Sequence, residues 1–215
     1  MTRTELLGEV KRIVPTLEGW CPPERAASFA ATIIDEAIET SVCLGVYGGR
    51  DVIAMAMAHR LRGKGKCLAV DPWSATASAA GQTGAHRQFW SNQKLHEDIH
   101  ASFVRAVDAA KLWPWIDVRR KRSADVEPPP NIGLLVVDGN HGPEAEGDVA
   151  RWAPRVSRGG LVFCDDIAWT GGAVARAVKL LERLGFQRLR DDGGGAFFRR
   201  PTPANASTST PARRS

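Results

Sequence analysis

The sequence predicts an α/β fold with a doubly wound, mostly parallel sheet of seven strands that ends in an antiparallel hairpin. Three observations predict it. Apolar stretches of strand length alternate with helical patterns from residue 42 to residue 184. Residues 132–137 and 159–164 are the nearly continuous apolar runs typical of buried parallel strands. Near the C-terminus, two short strand-like segments flank a turn rich in Asp and Gly, which is typical of a β-hairpin.

The composition is that of one globular domain. The chain has 215 residues, of which 43% are hydrophobic and 25% charged, enough for one sizeable core. No apolar run approaches the roughly 18 residues of a membrane span, and the charged N-terminus lacks the apolar segment of a signal peptide. The four cysteines form no CxxC pair, so reduced structural thiols are expected. We therefore expect a cytoplasmic protein with no membrane partner.

The net charge of +5 does not by itself indicate nucleic-acid binding. Residues 199–215 contain four arginines and no acidic residue, and without these four cations the net charge is +1. The remainder therefore lacks the broad basic face that phosphate binding requires. The basic run at residues 119–122 is interpreted as a solvated strand end, and no nucleic-acid partner is expected.

Two helices are predicted ahead of the sheet, within residues 1–40. Apolar stripes predict one from residue 4 to about residue 15 and another from residue 23 to about residue 39. We expect them to cover a sheet edge. Residues 41–200 then form the main α/β domain, and the Pro-, Ser- and Thr-rich residues 201–215 are predicted to be a disordered tail.

A glycine-rich turn connects the first strand to a helix that reaches residue 62. Gly45, Gly48 and Gly49 allow the backbone to approach a ligand, and the new helix offers unpaired N–H groups. The spacing matches neither GxGxxG nor a triphosphate loop, so a purely structural turn stays an alternative. The second strand ends at Asp71, where an acid commonly binds ribose hydroxyls. Turn and acid together indicate a nucleoside-containing cofactor, although Asp71 could instead cap the next turn.

Residues 72–93 are small and polar at their centre and are predicted to be a long loop. A loop of this length in a compact domain is usually functional or mobile. We interpret it as a lid over cofactor and substrate, with Trp73, Phe89 and Trp90 as apolar walls.

The segment from His96 to His100 matches HExxH, the zinc-hydrolase pattern in which two histidines and a glutamate share one helical face. The same helix, from residue 92 to about residue 110, has its own apolar stripe. We therefore favour a surface face on a helix that anchors the lid.

The remaining elements continue the alternation. A third strand is predicted at residues 115–119, followed by a short turn at 123–125 and the strand that ends at Asp138. Helices are predicted at residues 143–156 and 172–184, on either side of the strand that ends at Asp165.

Polar side chains follow the two most apolar strands. Asp138 and His141 follow one of them, and Asp165 with Asp166 follow the other. Because ligands bind beyond the carboxyl ends of strands in open α/β sheets, we expect these groups at one rim. The alternatives are a strand-end or helix-capping role for the acidic pair and a polar loop role for His141.

Four stretches, in this order, resemble class I S-adenosylmethionine-dependent methyltransferases: Gly45–Arg50, Asp71–Ser74, Asp138–His141 and Gly159–Asp166. Within that Rossmann-like class they look most like the metal-dependent sugar O-methyltransferases of antibiotic biosynthesis (macrolide or macrocin type) and their cephalosporin-hydroxylase-like relatives. The similarity covers roughly residues 40 to 185.

The resemblance implies the roles of individual residues. The glycine turn would hold the methionine part of the cofactor, Asp71 its ribose, and Ser123 would lie beside the adenine. The full cofactor-binding set implied is Gly45, Tyr47, Gly48, Gly49, Asp71, Trp73, Ser123 and Asp138.

Asp138, Asp165 and Asp166 are implied to bind one divalent metal. An all-carboxylate set favours Mg²⁺, or Mn²⁺ as the alternative. His141 would be the general base that accepts the proton of the attacking hydroxyl. One departure affects the cofactor site, because Cys43 stands where many class I methyltransferases have an acid that binds the cofactor's amino group.

The function expected is thus a metal-assisted O-methyltransferase acting on a hydroxyl of a small molecule, a sugar or natural product, with a homo-oligomer possible. Two alternatives are open. One is a zinc hydrolase that uses His96, Glu97 and His100. The other is a non-catalytic or hydroxylase-like cofactor-binding relative, which fold alone does not exclude.

Overall fold

The computed structural model describes residues 1–169 and 172–202. Its seven strands form one sheet in the order β3-β2-β1-β4-β5-β7-β6, and the first five are parallel. β7 is antiparallel to both β5 and β6. The predicted fold class is confirmed. The strands are β1 Thr40–Leu44, β2 Lys66–Val70, β3 Ile116–Arg119, β4 Ile132–Val137, β5 Val156–Cys164, β6 Gln187–Asp192 and β7 Gly195–Arg199.

The helices lie on both faces of the sheet. None of those in the described ranges is both long and apolar enough to cross a membrane. They are α1 Arg3–Ile13, α2 Pro23–Asp35, α3 Arg50–Arg62, α4 Ala75–Ser78, α5 Gly84–Trp90, α6 Gln93–Ala109, α7 Glu144–Trp152 and α8 Ala173–Arg183.

The sheet reverses its winding direction between β1 and β4. Leu44, the last residue of β1, pairs with Val70 of β2 on one side and with Val137 of β4 on the other. The three strands therefore end level with one another. In open α/β sheets such a reversal opens a crevice at the carboxyl ends of the strands, and the loops after β1, β2 and β4 meet there.

The core has one apolar layer on each face of the sheet. One layer packs the strands against α1, α2, α3 and α6, and the other against α7 and α8. Val136 and Phe163 belong to the first layer, whereas Val137 and Cys164 belong to the second. Because strand side chains alternate between faces, Asp138 and Asp165 are next in line for the layer that contains α2 and α3.

The two N-terminal helices cover a face of the sheet rather than an edge. Phe29 of α2 packs against Phe163 and Phe197, with ring centroids 5.0 and 5.7 Å apart. Residues of α1 and α2 belong to the same apolar cluster as the strands. The apolar stripe of an amphipathic helix shows that the helix packs against the sheet, but it does not show whether it packs on an edge or on a face.

One prediction differs from the structure, and another falls largely outside the described residues. Residues 72–93, predicted to be a loop, contain the short helices α4 and α5. Of the tail predicted to be disordered, residues 203–215 lie outside the described residues.

Candidate functional site

The glycine turn after β1 is packed tightly against other parts of the protein. Gly45 has φ +86°, and a Cβ there would lie 2.1 Å from the carbonyl oxygen of Asp138. A Cβ on Gly48 would lie 2.3 Å from the carbonyl oxygen of Glu18, and one on Gly49 would lie 2.3 Å from the ring of Phe103. These glycines are thus required for close packing of the turn, whatever ligand the turn also approaches.

Asp71 fixes the shape of this turn. Its Oδ2 accepts hydrogen bonds from the backbone N–H groups of Val46 (2.8 Å) and Tyr47 (3.0 Å). Its Oδ1 accepts one from the backbone N–H of Trp73 at 2.6 Å. The carboxylate therefore ties the end of β2 to the end of β1. Because a carboxylate has about four acceptor positions, it can still bind ribose hydroxyls.

The structure corrects the position expected for Trp73. Its side chain is only 1% exposed and lies in the core, not on a lid wall. The indole N–H donates to the carbonyl oxygen of Tyr47 at 2.9 Å, and the ring packs against His100 and Phe103. Trp73 thus holds the glycine turn in place from the core side.

An aromatic cluster lies above the turn instead. It consists of Trp20, Tyr47, Phe89 and Trp90, with neighbouring ring centroids 4.9 to 6.2 Å apart. Trp20 is 66% exposed and Phe89 is 44% exposed. The cluster joins the α1–α2 loop, the glycine turn and α5. Sequence reasoning found Phe89 and Trp90 but missed Trp20.

Ser123 begins a short 3₁₀ turn between β3 and β4. It lies beside Asp148 of α7, a residue that is 7% exposed. The pKa of Asp148 is raised to about 6, mainly by burial; the hydrogen bond from Ser123 opposes the shift, and the charge of the nearby Glu144 adds to it. A buried acid next to the residue expected at the adenine was not anticipated from the sequence.

The acids after β4 and β5 separate into two groups. Asp165 faces α2 and forms an ion pair with Arg25, whose Nη1 lies 2.7 Å from Oδ2. Asp138 belongs to the same group, because burial and then the charges of Asp165 and Asp51 raise its pKa well above the usual value. Asp51, in the first turn of α3, is buried, and this burial raises its pKa to about 6.

Asp166 belongs to the second group. Its backbone has φ +49°, and its carboxylate lies 2.9 Å from Nε2 of His141. The ring of Trp169 stacks on His141, with centroids 4.8 Å apart, and His86 of α5 contacts Trp169 edge-on at 5.3 Å. The structure thus places His141 and Asp166 in direct contact.

The predicted metal site is not assembled in this arrangement. Among residues 1–169 and 172–202, no three His, Cys, Asp or Glu side chains are arranged to hold one ion. β5 does end just before Asp165, as joint ligation would require, but Asp165 binds Arg25 and Asp166 binds His141. The donor set observed therefore does not fit a divalent cation held by all three carboxylates.

The HExxH side chains also have separate partners. Nε2 of His96 lies 3.0 Å from the carbonyl oxygen of Trp90, and the residue is 2% exposed. Glu97 forms an exposed ion pair with Arg120 at 2.5 Å. His96 is therefore buried and not on the surface face predicted, but it does tie α6 to α5 of the lid. This geometry does not support a zinc site.

Asn140 connects the loop after β4 to the lid. Its Nδ2 donates to the carbonyl oxygens of Ala77 (3.0 Å) and Ala80 (2.8 Å), and its Oδ1 accepts from the N–H of Gly142. Asn140 lies within the stretch Asp138–His141, but its role was not predicted, because the sequence does not show which segment its side chain contacts.

Two cavities lie along this rim. A small one of about 10 Å³, roughly the space of one water molecule, is lined by Asp138, His141 and Asp165 among others. The larger one, of about 590 Å³, is open between the lid and the residues after β5. The larger cavity is lined by Gly81, Gln82, Thr83, His86, Asp166, Ala168, Trp169 and Gly194.

A comparison with protein-family models decides the family. Residues 42–167, more than half of the chain, match the family described as methyltransferase domain. The chain belongs to this methyltransferase family. The predicted class I methyltransferase is therefore confirmed. A comparison with curated protein sequences gives no match.

Solved structures show the same fold. The O-methyltransferase NovP matches with a TM-score of 0.66 at 16% identity, over 84% of this chain and 81% of that chain. The SAH-bound methyltransferase PaMTH1 from Podospora anserina matches with a TM-score of 0.63 at 13% identity, over 92% and 88%. TomG, an O-methyltransferase from Streptomyces achromogenes in complex with SAM, matches with a TM-score of 0.63 at 12% identity, over 92% and 90%.

Proposed function

We propose that this chain is an S-adenosylmethionine-dependent O-methyltransferase that acts on a hydroxyl group of a small molecule, of the sugar or natural-product class. The family match supports methyl transfer. Relatives of the same fold support the choice of oxygen as acceptor atom and of this cofactor, since they are O-methyltransferases in structures such as that of TomG with SAM. The observation that carries the proposal is the His141–Asp166 pair at the rim of the sheet.

The cofactor would lie over the ends of β1 and β2. Its contribution when bound is a methyl group on a positively charged sulfur, which an oxygen nucleophile can attack. The turn from Gly45 to Gly49 and the carboxylate of Asp71 would bind its methionine part and ribose, and Ser123 would lie by the adenine. The aromatic cluster above the turn would exclude water from this region.

His141 would accept the proton of the acceptor hydroxyl. In the neutral imidazole, the nitrogen that faces a carboxylate carries the hydrogen, so contact of Nε2 with Asp166 leaves Nδ1 as the basic nitrogen. The imidazolium that forms is stabilised by the same carboxylate, and stacking on Trp169 fixes the plane of the ring. This is the base-and-orienting-acid arrangement of general base catalysis.

The acceptor would occupy the larger cavity. Its volume of about 590 Å³ suits a small organic molecule, since ligand pockets span about 300–1,000 Å³. Gln82, Thr83 and His86 offer hydrogen-bonding groups on the lid side, and Trp169 offers a flat apolar surface. That combination suits a sugar ring or another hydroxylated natural product.

Metal assistance is not included in this proposal, because Arg25 and His141 bind two of the three carboxylates expected to hold Mg²⁺ or Mn²⁺. The cytoplasmic location, the absence of nucleic-acid and membrane partners, and a possible homo-oligomer stay predictions from the sequence.

Methyl transfer from S-adenosylmethionine to a panel of hydroxylated small molecules, followed by release of S-adenosylhomocysteine, tests the proposal. With an accepted substrate, His141→Gln should lower kcat about 10²- to 10⁴-fold, the usual contribution of a general base, without weakening S-adenosylhomocysteine binding. His86→Gln is the comparison variant, because this imidazole also contacts Trp169 but is not paired with Asp166 in the structure. Since His86 lines the cavity proposed for the acceptor, this variant should change the KM for the acceptor and not kcat.

Three results would decide against parts of the proposal. Full turnover by His141→Gln would remove His141 as the base. Cofactor binding without transfer to any acceptor would favour a non-catalytic or hydroxylase-like relative. Failure of the wild-type protein to bind either form of the cofactor would overturn the proposed function.

A further inference from the structure

Arg25 is a buried cation at the ends of β4 and β5. Its side chain is 6% exposed, and Nη1 lies 2.7 Å from Oδ2 of Asp165. Nη2 donates to the carbonyl oxygen of Gly193 in the β6–β7 turn. The guanidinium also lies over the ring of Phe163, 5.2 Å from its centroid. An ion pair, a backbone hydrogen bond and a cation–π contact thus hold it in one place.

More carboxyl groups surround this guanidinium than one positive charge could neutralise if all were ionised. Besides Asp165, its charge interacts with Asp51 and Asp138. Oδ1 of Asp51 and Oδ1 of Asp165 are buried and have no hydrogen-bond partner in the described part of the chain. Such a group of carboxylates is stable in a protein interior only if a cation is present among them or some of them are protonated.

We propose that Arg25 supplies, in place of a divalent cation, the positive charge at the ends of β4 and β5, so that this chain takes up no divalent metal between Asp138 and Asp165. The inference rests on the proposed function, since it concerns the charge of the same rim. It makes Arg25 a positioning residue, which fixes Asp165 and neutralises the rim without touching the reacting atoms.

Arg25 and a divalent cation compete for the carboxylate of Asp165, and this competition is the physical basis of the proposal. Mg²⁺ and Mn²⁺ require several oxygen ligands at about 2.0–2.2 Å, and carboxylates are their preferred protein ligands. Asp165 can provide both carboxylate oxygens as ligands only after its ion pair with Arg25 breaks, which leaves a buried guanidinium without its partner. A divalent ion near the small cavity would also repel the guanidinium directly. Asp166 does not compensate, because it binds His141.

Mn²⁺ itself is the probe. Free Mn²⁺ is counted by electron paramagnetic resonance during titration of the full chain. The wild-type protein should show no stoichiometric Mn²⁺ site. Arg25→Ala, which frees Asp165 and leaves space beside Asp138, should gain one. The double variant Arg25→Ala/Asp165→Asn should lose that site again.

Arg3→Ala is the matched control. Arg3 also pairs with an aspartate, Asp35, at 2.6 Å, but both side chains are about half exposed and belong to no buried group of acids. Removal of this arginine should therefore create no Mn²⁺ site. Arg25→Gln, which retains the volume and a donor group, replaces Arg25→Ala if that variant does not fold.

Stoichiometric Mn²⁺ binding by the wild-type protein that Asp165→Asn abolishes would overturn the inference. A folded Arg25 variant that gains no site would overturn it as well. Titration of the wild-type protein with S-adenosylhomocysteine keeps the two proposals apart: absence of cofactor binding refutes the proposed function, whereas the Mn²⁺ results decide the role of Arg25 by themselves.

Discussion

Burial of His59 makes the stability of this protein sensitive to acid. His59 lies on α3, is 0% exposed, and its Nε2 lies 2.8 Å from Oγ of Ser41. Its Nδ1 lies 3.3 Å from the carbonyl oxygen of Lys64, which can only accept, so Nδ1 carries the hydrogen of the neutral ring. Burial lowers the pKa of His59 from 6.5 to about 4, whereas the hydrogen bond to Lys64 opposes the shift.

The direction of the effect follows from proton linkage. Between pH 6.5 and pH 4 the unfolded chain binds a proton at His59 and the folded chain does not, so stability falls as the pH falls through this window. At about 1.4 kcal/mol for each pKa unit, the loss approaches roughly 3 kcal/mol below pH 4. Between about pH 7.5 and about pH 5 the same relation gives about 2 kcal/mol.

Urea denaturation of the wild-type protein and of His59→Gln at both pH values measures the contribution of His59 to the free energy of unfolding. A difference between variants is needed, because Asp51 and Asp148 have an opposite effect on the pH dependence. Their pKa values are raised to about 6, so they make the folded protein more stable as the pH falls. The wild-type protein should lose about 2 kcal/mol more than His59→Gln on acidification. His86→Gln, at an exposed histidine, should behave like the wild-type protein. Equal losses in the wild-type protein and His59→Gln would refute the reasoning.

Two further predictions concern the site. Gly45→Ala should lower the free energy of unfolding by about 2–4 kcal/mol, because it adds a left-handed backbone penalty to a clash with the Asp138 carbonyl group. Gly63 also has a positive φ, but no atom lies within 4 Å of a Cβ built there, so Gly63→Ala should show only the backbone penalty. Equal losses of unfolding free energy for the two variants in urea denaturation would show that the clash at Gly45 contributes nothing. Asn140→Ala should make opening of the lid easier by about 1–3 kcal/mol through two lost hydrogen bonds, measured as faster amide hydrogen exchange in residues 75–80. Unchanged exchange there would show that Asn140 does not hold the lid.

The buried parallel strands and the position of the rim were predictable from the sequence, whereas the spatial order of the strands was not predicted. Buried parallel strands are nearly continuous apolar runs, so residues 132–137 and 159–164 were recognisable without any long-range information. The polar residues that follow them had to meet at one edge, because parallel strands that end level place their carboxyl ends together. His141 and Asp166 meet there for this reason.

The partner of each polar side chain was decided only by the tertiary structure. Asp165 and Asp166 are adjacent in sequence and look like one ligand pair, yet Arg25 lies 140 residues from Asp165 in the chain and approaches it through the packing of α2 on the sheet. Nothing local marks Arg25, which occupies an ordinary position in the first turn of α2. The same holds for Trp73, whose burial depends on α6 covering it.

The sequence by itself therefore determined the fold class, the rim and the residue types that gather at it. Strand and helix patterns depend on the local order of apolar and polar residues, which the chain carries everywhere. The tertiary structure alone decided which charges at that rim neutralise each other, because the free energy of a buried carboxylate depends on the distance to its nearest cation, and that distance is set by segments far apart in the chain.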